Sequence, residues 1–143
     1  MTLASFVALR AAPSLAWAIR LGLVLLVTGQ VFGIPMIRLN SHTLGAAGNL
    51  KLIHALALHG VQVLPLLAWL AGFANWTEAR RTATVLAGAI GYGALVAIFS
   101  LQAVSGRPPF DLSVAAALVL GMGAVVVVGA YGAVLARLPA RSA

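Results

Sequence analysis

The sequence predicts an all-α protein, an integral membrane four-helix bundle with both termini on the cytoplasmic side. Three observations lead there. Of 143 residues, 62% are hydrophobic and 8% charged, where a soluble domain carries about 25% charged residues. Mean hydropathy is +1.07. The apolar residues gather into four stretches, each near the roughly 20 residues that a spanning helix requires. Four such helices with short connections fill the chain, so residues 1–143 read as a single transmembrane domain.

The helices are expected over residues 14–37, 52–73, 82–105 and 112–136. Pro13-Ser14 suits the entry to the first, and residues 1–13 read as a short amphipathic piece along the interface. Residues 1–17 do not match a signal peptide: the apolar run 3–9 is short, no base precedes it, and Arg10 follows it. Within the first helix, Gly29 and Gly33 form a Gly-x-x-x-Gly step that permits close helix approach, and Pro35 loosens the last turn. The connection 38–51, with Asn40, Gly45, Gly48 and Asn49, has the composition of a loop. Asn75, with Glu78 three residues later, is expected to cap the third helix. Asp111 is expected to cap the fourth. Ala87/Gly91, Ala89/Gly93 and Gly129/Ala133 are further small-residue steps.

The net charge of +7 does not indicate nucleic acid. The bases stand singly, or as the pair Arg80-Arg81, at the ends of apolar runs, where they set topology and meet anionic headgroups. Arg10, Arg20, Arg80, Arg81, Arg137 and Arg141 fall on one side, and Arg38, Lys51 and Arg107 on the other, dividing the nine bases six to three. The richer side is expected to be cytoplasmic. No cysteine is present, which removes disulfides, thiolate metal sites and a cysteine nucleophile.

The polar residues inside the spans are the candidates for function. That orientation puts His42 in an outer loop, His54 in the first turn of the second helix, and His59 about 10 Å deep at 1.5 Å per residue. Gln30 lies at a similar depth on the first helix, and Gln62 about one turn deeper. Ser100 and Gln102 lie near the outer end of the third. Polar groups facing lipid are costly, so these side chains are expected to point into the bundle or a water-filled pocket in the outer half. His59 and Gln62 share a helix face. His54 and His59 lie roughly 140° apart around the axis, so one straight helix cannot easily bring both to one metal. His54 is expected to meet His42, and His59 to meet Gln30. Each also has a plainer reading: an interhelical hydrogen-bond partner for His59 and Gln62, a solvated side chain for His42 and His54.

Ser41-His42-Thr43-Leu44-Gly45, then His54-x4-His59-x2-Gln62-x2-Pro65-Leu66 and the turn from Gln102 to Asp111, resemble a group of small, largely uncharacterised bacterial polytopic membrane proteins. The likeness covers roughly a third of the chain. Relatives have a longer loop rich in Gly, Pro and Asp that ends in Gly-Asp-Leu-Arg, whereas here Gly45-Ala46-Ala47-Gly48 leads directly to Asn49-Leu50-Lys51. The resemblance implies residence in a bacterial inner membrane. It implies no activity.

Three functional readings follow. The first is a non-catalytic binding or accessory subunit of a larger membrane assembly, packed through small-residue faces against copies of itself or other membrane subunits. The second is a redox protein holding haem b or a divalent metal through His42, His54 or His59, with Gln30 and Gln62 nearby. Haem needs an axial imidazole and usually a second ligand from another helix, yet no histidine lies on the first, third or fourth helix. The third is an oligomeric carrier or channel for a small solute or protons. Enzyme signatures are missing: there is no G-x-S-x-G elbow, H-E-x-x-H, P-loop or G-x-G-x-x-G.

Overall fold

The computed structural model describes residues 12–139. Residues 1–11, most of the segment expected along the interface, lie outside the described part, as do Arg10 and Arg141. The fold is all-α, with four helices: α1 (Pro13–Arg38), α2 (Leu50–Phe73), α3 (Glu78–Val104) and α4 (Val114–Leu135). A small hairpin of β1 (Thr43–Leu44) and β2 (Gly48–Asn49) joins α1 to α2. Each helix is long and apolar enough to cross a membrane.

The helix ends show how the chain sets its own boundaries. α1 starts with Pro13 at its first turn, where a missing N–H costs nothing. It stops in a two-bond C-terminal motif: Asn40 N–H donates to Ile37 O and Ser41 N–H to Met36 O. Asn40 sits there at φ 45°, a left-handed conformation that asparagine tolerates better than most residues. Asn49 caps α2 by accepting from Leu52 N–H at 2.8 Å.

Two caps differ from the sequence expectation. Thr77, not Asn75, caps α3, accepting from Arg80 N–H at 3.4 Å, so α3 begins about one turn earlier than expected. Glu78 to Arg81 are good helix formers, and the helix continues through them past the last apolar residue. Ser113, not Asp111, caps α4, accepting from Ala116 N–H at 3.3 Å. Asp111 instead offers its backbone carbonyl to the amide of buried Gln102, which also donates to Pro108 O. Gln102 therefore holds the α3–α4 turn closed.

The helices run up and down. Ser14, at the start of α1, bonds Glu78, at the start of α3, which puts Arg20, Arg80, Arg81 and Arg137 toward one end. At the other end Ala47 N–H donates to Gly106 O, docking the hairpin on the α3–α4 turn near Arg38, Lys51 and Arg107.

α2 is the central helix. Leu50, Ile53, Ala57, Leu64, Leu67, Ala68 and Ala71 are all buried on it. α1 packs mainly on α2, and α4 mainly on α3. Close approach rests on missing side chains. A Cβ on Gly22 would lie 2.9 Å from Val61 Cα, and one on Gly91 would lie 2.7 Å from Gly123 O. Of the small-residue steps expected, Gly29/Gly33 and Gly91 serve these contacts, while Gly93 and Gly129 meet no neighbour among the described residues. The outside of the bundle is apolar: Ile90 is 75% exposed and Val125 71%. Contiguous apolar exposure on this scale fits a lipid or protein surround rather than water.

Candidate functional site

Helical geometry on α2 decides where the polar residues go. The buried stripe Ile53, Ala57, Gly60, Leu64, Leu67 and Ala71 repeats at three and four residues, so it faces the other helices. Residues offset from it, including His59, Gln62, Leu66, Trp69 and Phe73, are exposed on the opposite side.

His54 lies at the edge of the buried stripe, against α1. Its Nδ1 is 2.7 Å from Gly29 O. A carbonyl only accepts, so Nδ1 carries the proton and Nε2 keeps its lone pair. The ring also covers Gly33, where a Cβ would lie 3.0 Å from the imidazole Cε1. The Gly29/Gly33 step is thus the seat of an imidazole as well as a helix contact.

His59 points away from the bundle. Its Nδ1 is 2.9 Å from Gln62 Oε1, one turn along the same helix. Both side chains are exposed. Gln30 is exposed on α1, and His42 is exposed in the loop, where its backbone carbonyl accepts from Leu50 N–H.

The five candidates therefore do not meet in one interior pocket, and the expected pairings are replaced. His54 bonds the Gly29 carbonyl rather than His42, and His59 bonds Gln62 rather than Gln30. The cause is rotational. Aliphatic and small residues claim the packed face of α2, and His59 with Gln62 take what remains. Among the described residues no group of three or more His, Cys, Asp or Glu side chains gathers as a metal site would require. Ser100 returns its hydroxyl to Val96 O in its own helix.

Two tyrosines carry interior polar contacts that the sequence did not single out as a site. Tyr92 on α3 donates to Leu56 O, and Tyr131 on α4 donates to Val63 O, each at 2.6 Å. Both phenols pin neighbouring helices to the α2 backbone. The available signal was their isolation: they are the only two tyrosines in the chain, each inside an apolar span. A buried phenol in such a place needs an acceptor.

A shallow groove of about 390 Å³ runs along α4, lined by Ala117, Leu118, Gly121, Met122, Val125 and Val126. It offers no polar side chain. Comparison with known proteins returns no match to a family model, a curated protein or a solved structure.

Proposed function

We propose that this chain is a multi-pass protein of a bacterial cytoplasmic membrane, serving as a non-catalytic binding or accessory subunit of a larger membrane assembly, with both termini cytoplasmic. The observation that carries the reading is the outward placement of His59 and Gln62 near the middle of α2. An amide and an imidazole turned away from their own bundle at that depth call for a protein surround, because lipid cannot satisfy them. The apolar exterior supports membrane residence. The six-to-three division of bases supports the orientation.

The test is a native mass measurement on protein extracted in lipid nanodiscs, without prior detergent stripping. A particle containing more protein than one 14.6 kDa chain is expected. A homogeneous single chain refutes the reading.

One geometric feature favours a second reading, a haem- or metal-binding protein. His54 holds its Nδ1 proton on a carbonyl, which leaves Nε2 as the ligating nitrogen, and ligating histidines are usually held this way. The absorbance spectrum and elemental analysis of the purified protein decide it: a Soret band or about one metal per chain supports the second reading, and a colourless, metal-free protein ends it.

A further inference from the structure

We infer that the outward face of α2 binds a second copy of this chain, and that His59 and Gln62 of the two copies complete each other's hydrogen bonds across a two-fold axis. The inference rests on the reading of the helices as membrane spans and names the partner at that face.

Depth comes first. α2 has 24 residues and is about 36 Å long at 1.5 Å per residue. Gln62 stands about 18 Å from the Leu50 end and His59 about 14 Å, so both fall in the hydrocarbon centre. Neither can reach water by extending along the helix axis, as a long terminal Lys or Arg can.

Next comes hydrogen-bond capacity. His59 and Gln62 are exposed and bond each other at 2.9 Å. If the Gln62 oxygen faces the ring, Nδ1 donates, His59 Nε2 is left as an acceptor, and the Gln62 NH2 keeps free donors. If the amide is turned over, Nδ1 accepts, Nε2–H becomes a free donor, and the Gln62 oxygen becomes a free acceptor. Either way the pair has at least one donor and one acceptor uncommitted among the described residues. It is therefore complementary to itself.

Symmetry then selects the occupant. Two copies inserted in the same direction are related by a two-fold axis along the bilayer normal, which preserves depth. The partner copy presents the same donor and acceptor at the same level, and each copy satisfies the other, as an isologous interface requires. A lipid tail offers neither group. Toward the Phe73 end the same face continues with Leu66, Trp69 and Phe73, each about half exposed, an apolar strip for the second copy to pack against. The α4 groove lacks any such polar demand.

The chain contains no cysteine, so single-cysteine variants report without background. Leu66→Cys on the α2 face and Met122→Cys on α4 are oxidised in native membranes. The expected result is a disulfide-linked dimer of this chain from Leu66→Cys and none from Met122→Cys. Adding His59→Leu with Gln62→Leu should weaken self-association about tenfold, in line with the modest worth of interhelical polar contacts in bilayers. His59→Gln, which keeps a donor and an acceptor, should restore most of it. A tyrosine hydrogen bond elsewhere in the bundle is untouched by these changes, so intact protease resistance distinguishes a lost interface from a lost fold. Cross-linking through Met122→Cys instead of Leu66→Cys overturns the inference, as does a dimer undiminished by the double Leu change. If the chain sits in a larger assembly with Leu66→Cys linked only to a different protein, this inference falls and the accessory reading stands. A solitary chain overturns both.

Discussion

Glu78 Oε1 accepts the backbone N–H of Ser14 at 2.7 Å, so one of only two acids in the chain closes the amino end of α1 from the first turn of α3. Among the described residues, α1 has no side-chain cap of its own. The carboxylate also stands at the positive end of both helix dipoles and 3.6 Å from the Arg81 guanidinium, which in turn donates to Ala74 O. Glu78→Ala should lower stability by about 1–2 kcal/mol, the usual cost of a lost cap. Glu78→Gln, which keeps the acceptor, should recover more than half of the loss. Thermal unfolding in detergent, followed by circular dichroism, measures both. A Glu78→Ala protein as stable as the parent would show that the contact holds nothing.

The crossing of α3 and α4 is reciprocal at Gly91 and Gly123. A Cβ on Gly91 would lie 2.7 Å from Gly123 O, and one on Gly123 would lie 2.8 Å from Gly91 O. Both obstacles are backbone, so the helices must separate. Gly91→Ala and Gly123→Ala should each destabilise by about 1–3 kcal/mol. The double variant should cost clearly less than the sum, because one separation relieves both contacts. Gly93→Ala is the control: its Cβ meets nothing within 4 Å among the described residues, and better helix propensity should leave stability equal or higher. Additive costs would mean that the two glycines do not share one crossing.

The phenols of Tyr92 and Tyr131 are the interior bonds that tie α3 and α4 to α2. Tyr92→Phe and Tyr131→Phe each remove one hydroxyl and little else. Interhelical hydrogen bonds in membrane proteins are worth roughly 0.6 kcal/mol on average, so each change should cost under about 1.5 kcal/mol. The carbonyls keep their helical partners, which limits the loss. Steric trapping or reversible SDS unfolding gives the values. A cost several times larger would mean that the phenols organise more than one contact each.

Helix number and the places of the connections were legible in the sequence, since an apolar run of spanning length has few other outcomes. Helix rotation was not. The spans are apolar all round, so no polar stripe marks an outer face, and close approach of backbone at Gly22, Gly91 and Gly123 and of the Leu25 side chain at Gly60 decides which sides meet. Those contacts turn His59 and Gln62 outward, where desolvation alone suggested the interior. The cap of α3 was missed for a related reason. Asn75 with Glu78 reads as a local capping box, but the Glu78 carboxylate is occupied by Ser14, 64 residues away, and Thr77 takes the cap. The seat of His54 was half legible: Gly29/Gly33 announced a close approach, and the imidazole that fills it became visible only once α2 was laid against α1.

That seat gives a spectroscopic prediction. With Nδ1 at 2.7 Å from Gly29 O, His54 must donate through Nδ1, the tautomer less common in water, and its ring is confined over Gly33. Histidine ¹⁵N spectra of the neutral rings, taken on protein in bilayers, should show a signal protonated at Nδ1 alone that belongs to His54. That signal should vanish in His54→Gln and persist in His59→Gln. Gly33→Ala should broaden or shift it, because the new methyl would stand 3.0 Å from Cε1 and must displace the ring. If His54 proves to be protonated at Nε2 alone, the bond to Gly29 does not exist, and the first helix is held to the second by packing at the glycines and by aliphatic side chains such as Leu25.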